Sequence, residues 1–241
     1  MRPLIFIHGS GDNASVWHAQ HAYFRRGKEQ VVALDLPGHG SRPDTLPYET
    51  NVLNYAQATY SIIKEELGLQ QPVVVGHSLG GAIALTLAAM HGPELAGLVL
   101  VGSGARLRVH PALLEEARST PVEACQRLTE LALTPAHITA LAPSLLGKKD
   151  PNDRNMLYRD LSACNTFDIM AQLPEITLPT LIICGEEDRL TPPKYSTYLQ
   201  QHLSRSTLRI LPDAGHYVMY EQPEATNQAI AEWLQTIEDE M

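Results

Sequence analysis

Short runs of consecutive apolar, mostly β-branched residues recur along the chain, each bounded by turn formers: Leu4–Ile7, Val31–Leu34, Val73–Val75, Leu98–Val101, Leu181–Cys184 and Leu208–Leu211. None alternates with polar positions, which is the pattern of strands in a parallel sheet covered on both faces. Between most of them the apolar period becomes helical. Val52, Tyr55, Tyr60, Ile63 and Leu67 share a face before Gly68 stops the helix. Leu79–Met90 is apolar almost all round, so it reads as a buried helix ended by Gly92-Pro93. Pro223 opens a last helix striped by Ile230, Trp233, Leu234 and Ile237. Strands alternating with helices predict an α/β fold: a mostly parallel, open sheet of about six strands flanked by helices.

One stretch departs from that rhythm. From Arg106 to Pro179 the periodicity is only helical, punctuated by Pro111, Pro121, Pro135 and Pro151. Val122, Cys125, Leu128, Leu131 and Ala132 make one stripe; Met156, Leu157, Leu161 and Cys164 make another. A helical block inserted after a strand of a parallel sheet predicts a lid over the strand ends, with a packed underside. The expected division is therefore a core of residues 1–105 and 178–241 with an inserted helical cap over 106–177.

Composition narrows the partners. The chain has 241 residues, enough for one sizeable domain with an insertion, and a formal charge of -9 from 18 Lys+Arg against 27 Asp+Glu. That balance argues against nucleic acid or an anionic membrane surface. Cys125, Cys164 and Cys184 show neither CxxC nor Cys/His spacing, so they read as small buried apolar residues rather than a zinc site or disulfides. The opening apolar run is broken at His8-Gly9, too soon for a signal peptide, and no stretch reaches membrane-spanning length. A soluble, cytoplasmic protein is expected.

Gly76-His77-Ser78-Leu79-Gly80 follows the third strand and opens the buried helix. A hydroxyl attacks a carbonyl only when presented clear of its own backbone and near a base. A sharp strand-to-helix turn does this, and glycines on both sides leave room for it. Alone G-x-S-x-G is weak; between a β-branched strand and a helix its required context is met. A phosphate loop is excluded by the absence of G-x-G-x-x-G and of a Lys-Ser/Thr ending.

Serine needs a base, and the chain has ten histidines. His18, His21, His91, His110, His137 and His202 lie in helical or cap segments and read as surface or filler residues; His77 should point away from the Ser78 hydroxyl, and His8 reads as a structural hydrogen-bonder. His216 differs, because it follows the last strand in the turn-rich Pro212-Asp213-Ala214-Gly215. Ligands sit at that edge of open parallel sheets. The acid that orients it is expected after the fifth strand, in Gly185-Glu186-Glu187-Asp188. Asp188 is preferred; Glu186 and Glu187 compete on spacing, and Asp213 lies too close along the loop. For the oxyanion, the Leu79 N–H comes with the elbow. The Ser10 N–H, with Gly9 as runner-up, comes from His8-Gly9-Ser10-Gly11.

These residues are similar to the α/β-hydrolase superfamily, in particular its small bacterial carboxylesterases and lactonase- or haloperoxidase-like members. The matching pieces are Phe6–Trp17, Ala33–Arg42, Val73–Leu85, Leu178–Pro193 and Ile210–Glu224 in the family order. The resemblance implies that Ser78, Asp188 and His216 are nucleophile, acid and base, and that Ser10 and Leu79 supply the oxyanion donors. Family members usually have an antiparallel strand pair before the strand carrying His-Gly; here that strand starts at Pro3. Six strands and a bare sheet edge, which a second copy could cover, are therefore expected. A serine rather than an aspartate at the elbow speaks against epoxide hydrolases and dehalogenases. The implied activity is hydrolysis of a small-molecule carboxylic ester through an acyl-enzyme, with no metal or organic cofactor. Thioester, lactone or C–C cleavage, or a slow-turnover receptor, are the alternatives.

Overall fold

The structure, a computed structural model, describes residues 2–27, 30–149 and 151–239. Its strands are β1 (Leu4–Ile7), β2 (Val31–Leu34), β3 (Val73–His77), β4 (Gly97–Val101), β5 (Thr180–Gly185) and β6 (Ser206–Leu211). They form one sheet in the order β2-β1-β3-β4-β5-β6. Every neighbouring pair is parallel, with Ile7 opposite Gly76, His77 opposite Val101 and Gly185 opposite Leu211. All six strands therefore end at the same edge of the sheet.

The non-alternating runs have a direct cause. Side chains alternate across a strand, so Leu4, Phe6, Val73, Val75, Val99 and Val101 enter one core while Ile5, Ile7, Val74, Leu98 and Leu100 enter the other. Both faces being covered, neither tolerates a polar position. The expectation of full burial fails only at the edges. β2 is mostly half-buried and β6 exposes Ile210 by 44%, because each has a single strand neighbour.

Two helical layers supply these covers. On one face lie α1 (His18–Phe24) and, from the far end of the chain, the short α2 (Val218–Glu221) and α3 (Pro223–Asp239), which bring Phe24, Val218, Ile230, Trp233 and Ile237 to the sheet. On the other lie α4 (Val52–Ser61), α5 (Leu79–His91) and α6 (Pro193–His202), with Val52, Tyr55, Ile83, Leu87 and Leu199 in the core. Asn51 caps α4 through a reciprocal pair of bonds with Asn54, and after a π-helical turn the segment stops at Gly68, whose φ is 61°.

Four helices fill the stretch between β4 and β5: α7 (Pro111–Ser119), α8 (Pro121–Ala132), α9 (Pro135–Lys148) and α10 (Pro151–Thr166). The first three begin at a proline in a described first turn, where its missing N–H costs nothing. Ala117, Ala124, Cys125, Leu157 and Leu161 make a small core of their own. The expected α8 stripe is only partly buried. Val122 is 54% exposed in the first turn, and Leu131, 38% exposed, borders a cavity instead of a core. Where this stretch leaves and rejoins the core, Arg106 and Asp168 form an antiparallel bridge.

At the end of β5 the chain runs against the loop that follows β6. A Cβ on Gly185 would stand 2.2 Å from the Gly215 carbonyl oxygen and 2.3 Å from that of Ala214. Gly185→Ala must push backbone from backbone, a cost of about 1–3 kcal/mol or more. A fall of about 4–10 °C in thermal midpoint is expected by calorimetry. An unchanged midpoint would show that the two loops are not in close contact.

Candidate active site

The turn after β3 is strained as its sequence requires. Ser78 has φ 52° and ψ −111°, a region that costs a non-glycine residue about 1–3 kcal/mol. Its backbone is fixed from both sides: Ser78 N–H donates to the Val101 oxygen (2.9 Å), and the Ser78 carbonyl accepts from the Ser103 hydroxyl (2.9 Å) and from the first turn of α5. The flanking glycines are obligatory. A Cβ on Gly76 would meet the Gly80 oxygen at 2.2 Å, and one on Gly80 the Ile7 oxygen at 2.3 Å. Among the described residues the Ser78 hydroxyl makes no hydrogen bond, to His216 or to any other group, and it borders a cavity of about 400 Å³.

His216 and Asp188, from the loops after β6 and β5, meet beside that cavity. His216 Nδ1 donates to Asp188 Oδ2 at 2.9 Å, and both residues are almost fully buried. The acid is held in turn: Leu190 N–H and Thr191 N–H donate to Oδ1 (2.9 and 2.8 Å), and the Thr191 hydroxyl donates to Oδ2 (2.8 Å). Burial would push the Asp188 carboxyl up, but the adjacent His216 and these donors outweigh it and hold it below the ordinary carboxylate value. With Nδ1 committed as donor, Nε2 of His216 is left with a lone pair and no protein partner among the described residues. Glu186 and Glu187 are exposed, and the Asp213 side chain is exposed at a positive-φ turn (52°); among the described residues none of the three bonds to the His216 ring.

Ser10 also borders the cavity, its hydroxyl 3.6 Å from the Cys164 thiol. The backbone N–H groups of Ser10 and Leu79 donate to no described residue. Gly9 lies against the elbow, where a Cβ would stand 3.3 Å from Ser78 Cβ. His8 is the hydrogen-bonder expected: Nε2 accepts from Leu36 N–H (3.1 Å) and Nδ1 donates to the Gly9 oxygen (2.8 Å). The rest of the cavity wall is apolar over most of its area, from residues such as Leu107, Leu113, Leu128 and Leu161, with Arg108, His110, Glu116, Arg127 and Arg189 also lining it. Among the described residues no three His, Cys, Asp or Glu side chains cluster as a metal site would need, and no helix is long and apolar enough to cross a membrane.

Four contributors were not visible in the sequence. Thr191, three residues after Asp188, donates to it from both backbone and hydroxyl. Lys149, at the end of α9, is buried between Asp12 and the Gly11 oxygen, with Asp12 also accepting from Tyr217 (2.9 Å). Glu221 accepts from Gly215 N–H (2.7 Å) and Thr134 N–H (2.8 Å), and His137, read as filler, stands 3.1 Å from it. Asp160 accepts from Gly11 N–H (2.8 Å). Only Asp160 carried a signal: three residues after Leu157 and four before Cys164, it is a carboxylate on a buried helical stripe, and such a group must be paired.

A parallel sheet with a strained serine at a strand-to-helix turn, facing a cavity at the strand ends, defines a hydrolase of the α/β type. The chain belongs to the alpha/beta hydrolase family, whose model matches residues 4–229. It is 31% identical over 244 residues to 3-oxoadipate enol-lactonase 2 of Acinetobacter baylyi, covering 94% of this chain and 86% of that one. It is 28% identical over 245 residues to RutD of Escherichia coli, by its name a carbamate hydrolase, covering 97% and 91%. Among solved structures, a thermophilic esterase superimposes with a TM-score of 0.80 at 33% identity, covering 98% of this chain and 91% of that one.

Two histidines around the site are kept neutral. Burial first, then the proximity of a second imidazole (His39 beside His8, His216 beside His77), pushes His8 down to about 4 and His77 down to about 3. His77, whose Nε2 donates to the His216 carbonyl (3.1 Å), therefore takes up no proton near neutrality. In the unfolded chain both take a proton below about pH 6.5. Unfolding thus binds protons, and their contribution is complete above about 6.5 and lost as the pH falls toward their folded values. Urea unfolding is expected to lose stability between about pH 6.5 and 5 with a slope approaching about 1.4 kcal/mol per pH unit for each histidine. His77→Asn should remove about half of that slope; an unaltered slope would mean that His77 is not held neutral.

Proposed function

We propose that the protein hydrolyses carboxylic esters through a Ser78–His216–Asp188 triad and an acyl-enzyme. The observation that carries this reading is the buried His216–Asp188 hydrogen bond of 2.9 Å on the rim of the cavity that the strained Ser78 also borders. Asp188, ionised, keeps the proton on Nδ1, so Nε2 is the basic nitrogen. A serine hydroxyl swings on one torsion. In this reading it turns toward Nε2, passes its proton there and attacks the acyl carbon. The carbonyl oxygen becomes an oxyanion between the unpaired N–H groups of Ser10 and Leu79. His216 then returns the proton to the leaving alcohol, and a water activated by the same nitrogen cleaves the acyl-enzyme. The mostly apolar wall contributed by residues 106–177, taken as a cap, favours small to medium apolar acyl groups.

The likeness to an enol-lactonase favours a lactone as a second substrate class, which the same residues would open without change of role. A panel of p-nitrophenyl esters, aliphatic lactones, thioesters and carbamates separates these leaving groups. Ser78→Ala is expected to lower turnover of p-nitrophenyl butyrate by at least about ten-thousandfold, with circular dichroism and thermal midpoint kept. Turnover surviving in a folded Ser78→Ala protein would refute the triad.

A further inference from the structure

The loop after β1 is not held by the core alone. Asp160, from the middle of α10, is fully buried and reaches across to it. Its Oδ2 accepts from Gly11 N–H at 2.8 Å and from His39 Nε2 at 2.9 Å, and its Oδ1 accepts from the Tyr55 hydroxyl at 2.5 Å. Those partners come from three separate parts of the chain: the loop after β1, the loop after β2, and α4. Each is itself fixed. His39 Nδ1 stands 3.2 Å from the Pro37 oxygen, so the ring is held between that carbonyl and Asp160. Arg159, the adjacent residue on α10, donates to the Tyr55 hydroxyl (3.0 Å), the Pro37 oxygen (2.9 Å) and Asp44 (2.8 Å).

Gly11 is next to Ser10 and has φ 63°, a backbone that nothing in its own side chain can stabilise. A displacement of this loop by an ångström carries the Ser10 N–H off its target, and misplacement of that size costs catalysis heavily. We propose that Asp160 is a positioning residue: by accepting from Gly11 N–H it orients the Ser10 N–H toward the developing oxyanion. The inserted helices would then complete the oxyanion hole as well as wall the acyl pocket. This rests on the reading of Ser10 as an oxyanion donor.

The test compares Asp160→Ala and Asp160→Asn, with rates expressed per site titrated by a fluorophosphonate so that unfolded molecules do not count. In Asp160→Ala the kcat for p-nitrophenyl butyrate should fall about ten- to a hundredfold with KM within about threefold, because a donor is misplaced rather than removed. Affinity for an alkylboronic acid, whose boron becomes tetrahedral on Ser78, should fall in step with kcat. In Asp160→Asn the amide oxygen still accepts from Gly11 N–H. The thermal midpoint should drop there, because the Tyr55 hydroxyl loses its carboxylate, while kcat stays within about threefold of wild type. If the alanine protein does not fold, Asp160→Thr replaces it, filling similar space with a hydroxyl a bond too short to reach Gly11. Wild-type kcat and boronate affinity in the alanine or threonine protein, with only the midpoint lowered, would overturn the proposal. Equal damage in the asparagine and alanine proteins would do the same. Ser78→Ala is run alongside: activity surviving there condemns the triad, whereas a dead Ser78→Ala with a fully active Asp160→Ala condemns only the role of Asp160.

Discussion

Backbone crowding at the ends of β1 and β3 is the constraint on which the site depends. The Ile7 carbonyl lies 2.3 Å from where a Cβ on Gly80 would stand, and the Gly80 carbonyl 2.2 Å from where one on Gly76 would. Contact that close lets α5 start directly against the sheet, and it forces Ser78 into a backbone with φ 52°. The strain is offset by the Val101 and Ser103 bonds to the Ser78 backbone and by the deep burial of α5. Because all the strands are parallel, the loops after β1, β3, β5 and β6 open at the same edge, and one cavity collects residues from each.

Around that edge stand buried carboxylates, each paired with a basic side chain: Asp188 with His216, Asp160 with His39, and Asp12 with Lys149. Buried pairs of this kind are poor evidence for stability, since desolvation consumes most of the Coulombic gain. Their distribution is more informative. Each carboxylate takes further hydrogen bonds from backbone or hydroxyl groups: Thr191 on Asp188, Gly11 and Tyr55 on Asp160, Tyr217 on Asp12. An ion that must be satisfied from several directions fixes the segments that satisfy it, and these segments are the site loops.

Local pattern was enough to place the strands, the elbow and the helices, because each of those is dictated by neighbours in the chain: β-branched runs, glycines either side of Ser78, prolines at helix starts. Asp188 and His216 were legible as positions after β5 and β6, and burial separates Asp188 from the exposed Glu186 and Glu187. What stayed hidden was tertiary. Nothing near Lys149 announces Asp12, more than a hundred residues upstream, and Glu221 gains meaning only where Gly215 and Thr134 come together. Val122 misled because helical periodicity places it on a stripe whose first turn has no partner. Half-exposed β2 and β6 misled because an apolar run says nothing about whether a strand has two neighbours or one.

One main-chain contact has a further consequence. His216 N–H donates to the Ala132 carbonyl at 2.7 Å, so the last turn of α8 is stitched to the loop that carries the imidazole. Arg189 adds to the seam by donating to the Glu130 and Leu133 carbonyls. The helical insertion is thus not an interchangeable module. A chimera that borrowed this block from a relative would need its junctions to preserve the carbonyl at position 132, whatever side chains it brought, or the borrowed roof would unseat the histidine beneath it.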